Sequence, residues 1–164
     1  MKNEEEFKIE LSNLLGKECW GIVGGVGTGS VISLSIGKKI EKTVPSKNPH
    51  LSEIVRRYNS EYSIMISCPW RIESKTKILC GSHHRNESDG PYSKSFMQII
   101  GKTISNIRCE SPAYDLKLVF GNELSLIIHC SSIGMDEEEC YSFGTPLGWF
   151  TVQLDGVLDF DKRI

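Results

Sequence analysis

Apolar positions along this chain follow two alternating rhythms. Near the start, Phe7, Leu11, Leu14 and Leu15 recur at i, i+4, i+7 and i+8, the stripe of an amphipathic helix. At an offset of 85 residues, Tyr92, Phe96, Ile99 and Ile100 repeat it. Gly16-Lys17 follows the first stripe and Gly101-Lys102 the second. Each glycine stands where a helix end favours a left-handed residue. Asn3 followed by Glu6 resembles a capping box at the start of the first helix. Pro91, after Asp89-Gly90, suits the first turn of the second.

Beyond each helix the period drops to two. Ile32, Leu34 and Ile36 before Gly37 match Leu116, Leu118 and Phe120 before Gly121, after a one-residue slip. Both trios alternate with more polar neighbours, as half-buried strands do. Ile22 matches Ile107 at the original offset, and Tyr62 to Cys68 and Trp149 to Leu154 occupy comparable later places. The pattern predicts two repeat units, about residues 1–85 and 86–164, each a helix followed by strands. A short sheet with one helix buries little alone. The expectation is therefore a single α+β domain over 1–164, with two pseudo-symmetric helix-plus-antiparallel-strand units packed together.

The remaining segments fill in around that frame. Asn48-Pro49 opens a short helix over Leu51, Ile54, Val55 and Tyr58. Pro69 stops the strand that reaches Cys68, and Arg71-Ile72 and Ile78 to Cys80 form a hairpin. Residues 81–90 read as a polar loop and 123–130 as a strand with Leu124, Leu126 and Ile128 on one face. Residues 131–147 read as a long connection with room for one helical turn, and Val157, Leu158 and Phe160 as a last strand or cover.

Composition narrows the class. The 164 residues are 39% hydrophobic and 24% charged, which suits a folded globular chain rather than a disordered one. A net charge of −2 gives no basic footprint for nucleic acid. No run approaches the roughly 18 apolar residues of a membrane helix. Glu4, Glu5 and Glu6 stand where a secretory signal carries its basic start, so the chain reads as cytoplasmic, with its six cysteines reduced. Charge is uneven: residues 1–82 carry net +3 and residues 83–164 net −5. Such polarity steers a charged partner.

Candidate chemistry is sparse. The glycines of segment 24–30 resemble a phosphate loop, but Ser30-Val31 replaces the lysine that would reach a phosphate, and a strand rather than a helix follows. The segment reads as a hairpin turn. Cys80, His83 and His84 form a C-x-x-H-H cluster without the second ligand pair that zinc usually takes. His50, His83, His84 and His129 are the candidate bases, but no nucleophile elbow or zinc-protease motif accompanies them. The sequence indicates no enzyme and no cofactor. Asp136, Glu137, Glu138 and Glu139, close to Tyr141, read either as a self-repelling solvated loop or as an acidic docking patch with an aromatic anchor.

The stretch from Arg56 to Ile72, a strand ending in Cys68-Pro69-Trp70-Arg71, resembles a segment of small bacterial immunity proteins. So does the later strand Asp115-Leu116-Lys117-Leu118-Val119-Phe120-Gly121-Asn122 with its late tryptophan. Some of those proteins belong to contact-dependent growth inhibition and related polymorphic toxin systems. The resemblance covers most of the chain after residue 16. It implies a cytoplasmic antidote that binds a cognate toxin domain, often a nuclease, and occludes its active site or substrate surface. The duplicated units also resemble, in topology, a Whirly-like arrangement. The rival expectation is a small-ligand or metal-binding module built on Cys80, His83 and His84.

Overall fold

The computed structural model describes residues 2–25, 27–131 and 139–163. Among the described residues the chain is α+β, with three helices and eleven strands in two antiparallel sheets. In order these are α1 (Lys2–Ser12), β1 (Cys19–Val23), β2 (Ile32–Glu41), α2 (Glu53–Arg57), β3 (Tyr58–Ile66), β4 (Trp70–Glu73) and β5 (Ile78–Gly81). Then come α3 (Pro91–Ile99), β6 (Ile104–Glu110), β7 (Asp115–Phe120), β8 (Leu124–Ile128), β9 (Glu139–Gly144), β10 (Gly148–Gln153) and β11 (Leu158–Lys162). No described helix is long and apolar enough to cross a membrane.

The helical stripes bury as their spacing predicts, with one exception in each. Phe7, Leu11 and Leu14 are buried, as are Tyr92, Phe96 and Ile99, but Leu15 and Ile100 are exposed. Both sit where the chain is already leaving the helix for a positive-φ glycine, so they fall off the stripe. Asn3 lies inside α1 rather than at its cap. Gly90 caps α3 with Pro91 in its first turn. The short helix α2 starts later than Asn48-Pro49 suggests, because Ser52 caps it: the Ser52 hydroxyl accepts from Val55 N at 3.4 Å. Tyr58 already belongs to β3.

The six-stranded sheet runs β1-β2-β3-β9-β10-β11, and the five-stranded sheet runs β5-β4-β8-β7-β6. Each sheet thus takes strands from both halves of the chain. Residues 131–147 are more than a connection, since β9 lies at the centre of the first sheet. Strand β3 lies beside β2 and β8 beside β7, whereas residues 149–154, in β10, lie beside β9 in the same sheet as β3.

The ladder registers define both faces of the six-stranded sheet. One inner row is Phe160, Phe150, Phe143, Ile64, Leu34 and Ile22; the next holds Leu158, Val152, Tyr141, Ile66 and Ile32. These rows join Leu116, Leu118, Leu126 and Ile128 of the second sheet in one continuous core. Phe7 of α1 meets Phe150, Tyr114 and Phe143 edge-on, with ring centroids 5.5, 5.7 and 6.0 Å apart. Trp70 is buried against Tyr92 of α3 at 5.0 Å, and its indole N–H donates to Ser30 O at 2.7 Å.

Where the halves meet, the backbone bonds come in matched sets. Gly16 N donates to Ile104 O and Gly101 N to Cys19 O, both at 2.8 Å. Ile104 N donates to Lys17 O and Cys19 N to Lys102 O, both at 2.9 Å. Gly37 N donates to Glu18 O and Gly121 N to Thr103 O, again both at 2.9 Å. Glu18 and Thr103 bridge each other between the two sets.

Candidate binding surface

Two outward rows follow from the same registers. The first is Asp161, Trp149, Gly144, Ser63, Ser35 and Gly21; the second is Asp159, Thr151, Ser142, Met65, Ser33 and Val23. The short helix α2 meets this face at Gly21, where a Cβ would stand 3.0 Å from the Val55 side chain. Elsewhere the face is built of serines, threonine and glycine, and from it Met65 and Trp149 stand 41% and 37% exposed. Gly144 is small for a reason: a Cβ there would come within 2.8 Å of the Trp149 ring. The indole therefore lies over the sheet rather than out in solvent. On β11, Asp159 and Asp161 give the edge of this face a negative charge.

The residues singled out from sequence are distributed unevenly around this surface. Asp136, Glu137 and Glu138 lie outside the described residues. Glu139 opens β9, is half-buried, and accepts a hydrogen bond from the Ser142 hydroxyl. Tyr141 corrects the expectation of an aromatic anchor on the surface. It is fully buried, and its hydroxyl donates to Tyr114 O at 2.9 Å. Alternation along β9 turns Tyr141 inward, and Ser142 takes the outward place. Burial pushes the Tyr141 phenol well above its ordinary pKa.

The Cys80, His83 and His84 cluster does not assemble as a ligand set. Cys80 is buried in β5, burial pushes its thiol up to about 11, and its Sγ leans on Gly81 O. His84 Nδ1 accepts from Gly81 N at 2.9 Å, so that nitrogen is committed to closing a turn. Segment 24–30 connects β1 to β2, as a hairpin turn should. Asn86 Nδ2 clamps it by donating to Gly25 O at 2.7 Å and Gly29 O at 3.0 Å.

Sequence reasoning misses a second feature beside the sheet. A cavity of about 460 Å³ is walled by Ser67, Cys68, Arg71, His83, His129 and Glu139, among others. Arg71 Nη1 donates to His129 Nε2 at 2.7 Å, and since arginine can only donate, that nitrogen is the unprotonated acceptor. Arg71 Nε also donates to Glu73 Oε2 at 2.9 Å. Behind Cys68, the Sγ atoms of Cys68, Cys130 and Cys140 lie within 4.8 Å of one another. Their sequence spacing follows no ligand motif; strand pairing alone brings them together.

Compared with protein-family models, curated proteins and solved structures, the chain has no match.

Proposed function

We propose that this chain is a cytoplasmic, non-enzymatic immunity protein. It binds a cognate toxin domain through the outer face of the six-stranded sheet and blocks that domain's active site or substrate surface. The observation that carries the reading is the placing of Trp149 and Met65, partly exposed on a face otherwise rich in small residues, with Asp159 and Asp161 along its edge. Tryptophan is the residue type most enriched among binding hot spots, and a surrounding ring of small polar groups helps exclude water from it. The acidic rim, on the half of the chain that carries net −5, suits a basic partner such as a nucleic-acid-cleaving domain. A standard interface covers roughly 800 Å² on each partner, so it would extend past these residues.

The fold reading belongs to the same proposal. The two halves are pseudo-symmetric copies in a Whirly-like arrangement, related by the 85-residue offset. The matched bonds at the junction support it, because Gly16, Lys17 and Cys19 stand to Gly101, Lys102 and Ile104 at that offset. The strand orders support it too: β1-β2-β3 is extended by β9-β10, and β6-β7-β8 by β4-β5.

The test is co-expression with the C-terminal region of the protein encoded immediately upstream in the genome. Rescue of growth and co-elution as a one-to-one complex is expected. Trp149→Ala should abolish rescue while the variant stays folded. A toxic neighbour that is neither rescued nor bound, or a complex indifferent to Trp149→Ala, overturns the reading.

A further inference from the structure

We propose that Cys68, Cys130 and Cys140 form a binding site for one thiophilic divalent cation, Zn²⁺ by its chemistry, with a fourth coordination position open toward the cavity that Cys68 lines. The three thiols come from three separate parts of the chain. Cys68 follows β3, Cys130 follows β8, and Cys140 lies in β9. Their backbones are pinned independently of any metal. Ser67 N and Cys68 N both donate to Cys140 O, at 2.9 and 3.0 Å, and Cys130 N donates to Asp115 Oδ1 at 2.7 Å. The sulfurs are thus held near one another by the sheet rather than by a flexible loop.

Distances suit the ion. Zinc–sulfur bonds of about 2.3 Å in a tetrahedral site put sulfurs roughly 3.8 Å apart. The observed separations reach no more than 4.8 Å, so small side-chain rotations close the set. The other buried thiols behave differently. Cys19 Sγ is satisfied by Gly21 O at 3.6 Å and Cys80 Sγ by Gly81 O at 4.0 Å, the ordinary fate of a core cysteine. Cys130 Sγ instead lies within 4.8 Å of the Cys68 and Cys140 sulfurs. Three converging thiols are a soft donor set, which selects zinc over the hard cations. Binding displaces the thiol protons, and three thiolates with Zn²⁺ leave one net negative charge.

The experiment uses the full chain, purified under reducing conditions, and titrates it with Co²⁺ and Zn²⁺. One equivalent of Co²⁺ should produce a thiolate-to-cobalt charge-transfer band, and Zn²⁺ should bleach it stoichiometrically. Cys130→Ser should weaken binding by about 100-fold or more, while Cys109→Ala leaves it unchanged. A second readout needs no variant: alkylation of the half-buried Cys130 should slow at least about tenfold when Zn²⁺ is present, with Cys109 unaffected. Absence of the band at one equivalent, a band that survives Cys130→Ser, or equal alkylation of Cys130 with and without Zn²⁺ overturns the site. None of these outcomes depends on the toxin partner.

Discussion

Two glycines set the path of the chain at the junction of its halves. Gly16 has φ of 77° and Gly101 has φ of 90°, the left-handed region that other residues enter at a cost. A Cβ on either would meet nothing within 4 Å. Substitution is therefore penalised by conformation alone, not by crowding. Gly16→Ala and Gly101→Ala should each lower stability by about 1–2 kcal/mol, measured by urea unfolding. Similar losses at both sites are expected, since each N–H makes the corresponding 2.8 Å bond across the junction. These positions were readable from sequence because a glycine just past a helical stripe has a local meaning. Tyr141 was not. Its neighbours suggest an exposed aromatic beside an acidic run, and only the register of β9 against β10 turns it inward.

At the scale of elements, helices and strands with strong periodicity were legible and those without it were not. The stripes of α1 and α3 and the alternation of β2 and β7 need no tertiary information. Strand β9, Glu-Cys-Tyr-Ser-Phe-Gly, alternates in polarity only over Tyr141, Ser142 and Phe143, and its outward Ser142 and Gly144 are buried like its inward residues, so the signal is short. A strand at the middle of a sheet, partly covered on both faces, loses the period-two signal on which its recognition depends. Strand β11 keeps that signal, with Asp159 and Asp161 alternating with Leu158 and Phe160. Its acids belong to the proposed toxin-facing surface. Asp159→Lys with Asp161→Lys should slow association with the toxin domain at low salt, and the salt dependence of the on-rate should shrink or reverse. Stopped-flow association at several ionic strengths checks this. An on-rate that keeps its original value and salt slope would remove β11 from the interface.

At the scale of the molecule, the halves are structurally interdependent. Strands β9, β10 and β11 complete the sheet begun by β1, β2 and β3, while β4 and β5 complete the sheet of β6, β7 and β8. Cut near residue 85, the first half would leave the β4-β5 hairpin unpaired and the second the three strands β9-β10-β11, each with an open sheet edge. Residues 1–85 and 86–164 expressed separately should therefore give no cooperative thermal transition. Mixing or co-expressing them should restore one, together with the near-ultraviolet dichroism of the packed aromatic core. Either fragment melting cooperatively by itself would contradict the shared-sheet account. The same exchange of strands explains why the cysteine cluster was invisible in sequence: Cys68, Cys130 and Cys140 meet only because β3 pairs with β9 and the chain after β8 returns beside them.

What the amino-acid sequence determined by itself is local. Apolar spacing marks two helices and their first strands, glycines mark where the chain must turn left-handed, and segment 24–30 declares a turn rather than a phosphate site. Such features depend on backbone dihedrals and on the period of a single element, both set within a few residues. The tertiary structure alone decided which face of each strand meets solvent, that Tyr141 is core while Trp149 is surface, that Cys80, His83 and His84 make no ligand set, and that three other cysteines converge. Those outcomes depend on pairing register between residues far apart in the chain, where a shift of one position exchanges the two faces of a strand.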